Sequence, residues 1–161
     1  MVTIVAGKIN SGKTTFLLNH YQKQQSGDGF IAIKRMEGKS VYCFALLRLS
    51  TNSFLPWMVH QDFYDDEFED VAKFGPYALN LTTLRQVETT LEELIARKVS
   101  PLYLDEVGVL ELNGGGYHDI LKKMVKLGLD LYITVRSDLV KPVIAYFQIS
   151  EPVLITVQRE E

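Results

Sequence analysis

The sequence predicts an α/β three-layer sandwich with a mostly parallel sheet, into which an antiparallel hairpin is inserted after the first helix. Three observations carry this. Short β-branched runs alternate with helical patterns through the second half of the chain. A strand, a glycine-rich loop and a helix open the chain in that order. Two β-rich runs flank Glu37-Gly38-Lys39, a turn signal, and read as a hairpin. The chain has 161 residues, enough for one well-packed domain, and residues 1–161 are read as a single domain.

The elements follow in order. "VTIVA" (Val2–Ala6) is a short buried strand. Gly7 to Gly12 is a loop, and Lys13–Gln25 is a helix stopped by Ser26-Gly27-Asp28-Gly29. Phe30–Leu49 forms the hairpin, and "SFLPWMVH" adds a short strand. His60–Gly75 mixes acids with aromatics and reads as a solvated loop or short helix. Its Asp62, Asp65, Asp66 and Glu69 lack the glycine and spacing of a calcium loop. Thr82–Val99 is a helix, because Leu84, Val87, Leu91, Leu94 and Ile95 share one face, with Thr83 and Gln86 as a capping box. Leu102–Gly108 is a strand running into acids, and Asn113–Gly116 is a flexible loop. A helix closed by Gly128, a strand at Leu129–Arg136, a helix at Asp138–Phe147 and a last strand at Pro152–Val157 complete the chain. Pro142 fits only the first turn of its helix.

Composition limits the partners. The chain is 47% hydrophobic and 23% charged with a net charge of −3, so no broad nucleic-acid footprint is expected. No apolar run approaches the ~20 residues that span a bilayer, and the start has no basic leader. The single cysteine, Cys43, excludes an internal disulfide and reads as a small buried hydrophobe. These features point to a cytoplasmic protein. Nothing in the sequence sets the oligomeric state.

Gly7-x-x-x-x-Gly12-Lys13-Thr14 is a phosphate-binding loop in full. Its glycines let the backbone curl round an anion, and the following helix adds its positive end. Gly7, Lys8, Ile9, Asn10, Ser11, Gly12, Lys13, Thr14 and Thr15 are the candidate phosphate contacts. Lys13 would reach the β- and γ-phosphates, and the Thr14 hydroxyl would ligate Mg²⁺. Such a loop needs a carboxylate on a neighbouring strand, and Asp105, at the end of "LYLDE", supplies it as the second metal ligand. Glu106 beside it is the candidate base that orients and deprotonates a water. An extra strand is expected between the loop strand and the Asp105 strand, drawn from Phe30–Asn80. Arg136 ends "YITV" at the same sheet edge and is a candidate arginine finger, with Thr134 as a polar sensor on that strand.

These residues resemble the small P-loop nucleoside-triphosphatases, the cancer-related nucleoside-triphosphatase family of bacteria, archaea and animals. "GKINSGKTT", "GFIAIKRMEGKSVYCFALLRL", "FLPW", "KFGPYALN", "LYLDEVGVLELNGGGYHDIL" and "ITVR" come in that family's order and span most of the chain. Asp105, Glu106, Gly108, Glu111, Leu112 and Tyr117 match the family's pattern of Asp-Glu-hydrophobic-Gly, a Glu-Leu step and an aromatic residue. The sequence departs from the family at Lys8-Ile9-Asn10, where prolines or a further glycine are common, and at Lys73, where arginine is common. The resemblance implies an enzyme that hydrolyses several nucleoside triphosphates, ATP and GTP among them, with Mg²⁺. It implies Lys13 and Thr14 on phosphate and metal, Asp105 on metal and Glu106 in catalysis. Two other uses of the same loop are a kinase, which would need an acceptor pocket, and a nucleotide-dependent switch with slow turnover.

Overall fold

The computed structural model describes residues 1–158. In chain order it contains β1 (Val2–Gly7), α1 (Lys13–Gln24), β2 (Asp28–Glu37), β3 (Ser40–Arg48), β4 (Phe54–His60), β5 (Val71–Phe74), β6 (Tyr77–Asn80) and α2 (Leu81–Ala96). It continues with β7 (Leu102–Val107), α3 (Val109–Leu112), α4 (His118–Lys126), β8 (Leu131–Arg136), a 3₁₀ turn (Ser137–Leu139), α5 (Val140–Phe147) and β9 (Val153–Thr156). One nine-stranded sheet takes in every strand, in the order β5-β6-β4-β3-β2-β7-β8-β1-β9.

The sheet is mixed. β2, β7, β8, β1 and β9 run parallel, while β3, β4, β6 and β5 extend it by antiparallel pairing. The expected hairpin is therefore the root of a larger antiparallel wing. That wing includes β5, which lies inside the segment expected to be a loop or short helix. Val71–Phe74 pairs with Tyr77–Asn80 across a turn at Gly75 and Pro76, so alternation outweighs the local acidity.

The strand between β1 and β7 is β8, not an element from Phe30–Asn80. β1 pairs with β8 from Val2↔Leu131 to Gly7↔Arg136. The reason is connection length. A parallel neighbour needs a crossover helix, and α4 and α5 supply crossovers into and out of β8, while no helix lies between β2 and β6 and those strands stay antiparallel.

Period-2 alternation builds two cores on opposite faces. Ile4, Phe30 and Leu46 join the core under α2, α4 and α5, where Val87, Leu91, Leu121 and Val143 are buried. Their neighbours Val5, Ile31 and Leu47 join the smaller core under α1, built on Leu17 and Tyr103. Cys43 is half-buried on β3 rather than buried. α2 begins one residue before the expected start, and its cap is Asn80, whose side chain accepts from Thr83 N, so the Thr83–Gln86 capping box does not form. Asp28 was expected to help stop α1. It instead lies buried at the start of β2, accepting from Arg48 and Ser50.

Candidate active site

The C-terminal ends of β1, β7 and β8 meet at one edge of the sheet, where open parallel sheets place their ligands. Gly7 ends β1, and the loop that follows leads into α1 through Gly12 at φ 97° and ψ 18°. That left-handed conformation suits glycine and turns the first amides of α1 back toward the loop. No side chain caps this helix and no acid lies in its first turn, so its positive end is open to an anion. Ser11 Oγ is buried in the loop with no hydrogen-bond partner among the described residues. Lys13 Nζ folds back to donate to the carbonyls of Lys8 at 2.6 Å and Gly7 at 3.2 Å. Burial lowers the Lys13 pKa, against the pull of Glu106 and Asp105. Lys8 and Thr15 are exposed beside the loop.

Asp105 is the buried centre. Its Oδ2 accepts from Thr14 Oγ1 at 2.7 Å and from the Ala32 amide at 3.0 Å, and its Oδ1 accepts from Thr134 Oγ1 at 2.5 Å. Burial pushes its pKa up and these three donors push it down, with burial the larger effect. The carboxylate thereby joins α1, β2 and β8 at one point.

Glu106 depends on a backbone irregularity. The β7–β8 register breaks between Leu104 and Val107, and Glu106 sits at φ 63°. A β-bulge beside an active site re-aims side chains, and a non-glycine residue in the left-handed region carries strain. Thr134 Oγ1 accepts the Glu106 amide at 2.6 Å, replacing the ladder bond lost at the bulge. Both acids consequently reach the same cavity. Glu106 is hemmed in by protein and lies next to Asp105, so its pKa is pushed up to about 7 by partial desolvation first and by Asp105 second. Its side chain still meets water at the cavity mouth, which screens part of that push.

The cavity has a volume of about 460 Å³. Of the expected site residues, Ile9, Asn10, Lys13, Asp105, Glu106, Thr134 and Arg136 line it. Gly7, Lys8, Ser11, Gly12, Thr14 and Thr15 form the loop and helix start outside its wall. Arg136 points its guanidinium at Asp138, with Nε at 2.6 Å from Oδ1 and Nη2 at 3.0 Å from Oδ2, so a surface ion pair occupies the candidate finger. Lys34 on β2 also lines the cavity and donates to Asn10 Oδ1 at 2.7 Å. Sequence reasoning missed Lys34, Trp57 and Tyr77. Trp57 and Tyr77 fall in the "FLPW" and "KFGPYALN" segments that carry the resemblance, but nothing there assigns either ring to a site.

Glu111 shapes the loop after β7. Its two carboxylate oxygens accept the amides of Gly108 at 2.9 Å and Tyr117 at 3.0 Å. Gly116 adopts φ 52°, and a Cβ there would collide with Glu111 Oε2. The glycines of Asn113–Gly116 thus include one that serves close packing, where slack was expected.

The donor set suits a magnesium ion. Thr14 and Asp105 present hard oxygens 2.7 Å apart, the orphaned Ser11 hydroxyl lies in the adjoining loop, and Mg²⁺ takes one or two protein oxygens together with substrate phosphates.

A model of the NTPase family matches residues 2–161. The nucleoside-triphosphatase THEP1 of Natranaerobius thermophilus is 29% identical over 133 residues, which are 82% of this chain and 73% of that protein. The crystal structure of THEP1 from the hyperthermophile Aquifex aeolicus superposes with a TM-score of 0.67 at 16% identity, covering 98% of this chain and 90% of that one. The solution structure of a human cancer-related nucleoside triphosphatase gives 0.61 at 15% identity, covering 98% and 89%. At those identities the two structures share the fold.

Proposed function

The chain belongs to the NTPase family, and from that premise we propose that it binds a Mg²⁺–nucleoside triphosphate in the Gly7–Thr15 loop and hydrolyses the bond between the β- and γ-phosphates. The observation that carries this is Asp105, held by Thr14, Thr134 and Ala32 beside Glu106 and across from Lys13.

Each residue has a task that its position supports. The loop amides and the end of α1 receive the phosphates. Lys13 exchanges its two carbonyl partners for phosphate oxygens. Thr14 and Asp105 would hold Mg²⁺, which when bound draws charge off the phosphate oxygens. Glu106 orients a water toward the γ-phosphorus and takes its proton. Arg136 leaves Asp138 to meet charge that develops on the γ-phosphate.

We read residues 1–161 as one such domain, because one sheet takes in strands from Val2 to Thr156. No helix among the described residues is long and apolar enough to cross a membrane. We place the protein in the cytoplasm on its single cysteine, and we expect no nucleic-acid partner at a net charge of −3.

The test is phosphate release from ATP, GTP, CTP and UTP, with and without Mg²⁺, by the wild type and Glu106→Gln. We expect metal-dependent release that the substitution reduces by about 10²–10⁴-fold while nucleotide binding persists. Release by Glu106→Gln at the wild-type rate would overturn the role given to Glu106.

A further inference from the structure

The cavity has walls that hydrolysis does not use. Lys13 and Glu106 line it, and Gly12, Thr14 and Thr15 do not. A triphosphate whose α- and β-phosphates lie in the loop and whose γ-phosphate meets Lys13 points that γ-phosphate at the cavity. Attack by water needs no aromatic chamber, yet the cavity that Lys13 and Glu106 line is one.

Trp57 and Tyr117 stack with ring centroids 5.5 Å apart and planes 8° apart. Phe44 and Tyr77 meet edge to face at 5.6 Å. All four residues line the cavity. The Tyr117 hydroxyl is buried and has no partner among the described residues. Buried hydroxyls are ordinarily hydrogen-bonded, so this one marks a missing polar atom. Aromatic walls select a planar ring, the orphaned hydroxyl selects a ring with a polar edge, and about 460 Å³ lies in the range of small-molecule sites. The carboxylate at the chamber mouth, Glu106, can take a proton from an alcohol as well as from water.

We propose that this chamber is an acceptor site. It binds a nucleoside, whose base is a planar heteroaromatic ring and whose sugar carries the alcohol, beside the triphosphate, and the chain transfers the γ-phosphoryl group to a sugar hydroxyl. The inference rests on the loop assignment made above. The acceptor oxygen bonds to the γ-phosphorus, the bond from that phosphorus to the β–γ bridging oxygen breaks, and the nucleoside diphosphate leaves with the electron pair. The hydroxyl proton passes to Glu106. The products are a nucleoside diphosphate and a phosphate monoester, and no further reactant is needed.

Trp57 is the only tryptophan, so its fluorescence reports the chamber without any turnover. Adenosine, guanosine, cytidine and uridine are titrated into the full chain, alone and with a non-hydrolysable ATP analogue, and products of γ-labelled ATP are separated in parallel. The expected result is a saturable change in Trp57 emission with at least one nucleoside, retained with the analogue bound, and labelled nucleoside monophosphate. Tyr117→Phe keeps the ring stack and should weaken nucleoside binding about fivefold. Phe44→Leu provides a second chamber variant and should weaken it as well. No saturable change overturns the proposal. So does a change that the analogue abolishes, since the chamber then holds the base of the triphosphate, and so does binding with no labelled monophosphate. Phosphate release is read in the same tubes. Its absence alongside nucleoside binding overturns the hydrolytic reading, whereas its presence with no nucleoside signal overturns the acceptor site alone.

Discussion

Thr134 donates its hydroxyl hydrogen to Oδ1 of Asp105 across 2.5 Å, so β8 holds in place the carboxylate that β7 supplies. Thr134 Oγ1 in turn accepts the Glu106 amide at 2.6 Å, so one side chain secures both acids. Thr134→Val keeps the shape and removes the hydroxyl. It leaves Asp105 short of one donor and a backbone amide without its acceptor. We expect a loss of about 2 kcal/mol of stability, read by urea denaturation, and a fall in phosphate release. Thr134→Ser should restore most of both. If Thr134→Val unfolds at the wild-type midpoint and turns over normally, the hydroxyl has no positioning role.

The bulge at Asp105 and Glu106 has a consequence for pH. Burial first and Asp105 second raise the Glu106 pKa from an ordinary 4.5 to about 7. An acid whose pKa rises on folding binds its proton more tightly in the folded chain. Its contribution is present in full below the unfolded pKa and is lost as pH rises through the folded one. The metal-free wild type should therefore lose thermal stability relative to Glu106→Gln as pH is raised from about 4.5 to above 7. A gap in Tm that stays constant over this interval would show that Glu106 ionises as an ordinary carboxylate.

Two ion pairs separate buried from exposed electrostatics. Asp28 is 3% exposed and accepts from Arg48 Nε and Nη2, each at 2.9 Å, from Ser50 Oγ at 2.6 Å, and from the amides of Gly29 and Ser50. Asp28→Ala strands a largely buried guanidinium and three other donors, and we expect a loss of about 3 kcal/mol in chemical denaturation. Arg85 and Asp70 also meet at 2.9 Å, but are 59% and 46% exposed. Arg85→Ala should cost less than about 1 kcal/mol. Equal losses from the two substitutions would contradict this ranking.

How far the sequence carries follows from which interactions are local. The loop from Gly7 to Thr14 is legible as a strand-to-helix connection, because Gly12 stands where the backbone turns left-handed into α1. α2 is legible because Val87, Leu91 and Leu94 repeat at helical spacing and are buried. Alternation says which face of a strand is buried, but not which strand lies beside it. For that reason β8 was not foreseen next to β1, nor β5 at the edge. The bulge at Asp105 and Glu106 leaves no mark in composition, because it arises from pairing against β8. Asp28 looked like a turn residue because Arg48 and Ser50, which bury it, lie 20 and 22 positions away. The chamber was invisible for the same reason, since Trp57 and Tyr117 come from distant elements.

Arg136 ends β8 at the cavity, but its guanidinium is taken by Asp138 through two hydrogen bonds. The pair raises the Arg136 pKa and lowers that of Asp138 chiefly through those bonds, and both side chains are open to solvent. An exposed pair is readily broken, so a γ-phosphate can compete with Asp138 for the guanidinium. Two substitutions with opposite effects follow. Arg136→Ala should lower turnover by about 10²-fold or more if the guanidinium meets charge in the transition state, with the apparent KM changing far less. Asp138→Ala removes the competitor and should leave turnover unchanged or raise it a few-fold. Steady-state phosphate release by the two variants checks both. Arg136→Ala turning over at the wild-type rate would reduce Arg136 to a surface ion pair. Asp138→Ala falling as far as Arg136→Ala would mean instead that the pair itself, not the free guanidinium, is the working arrangement.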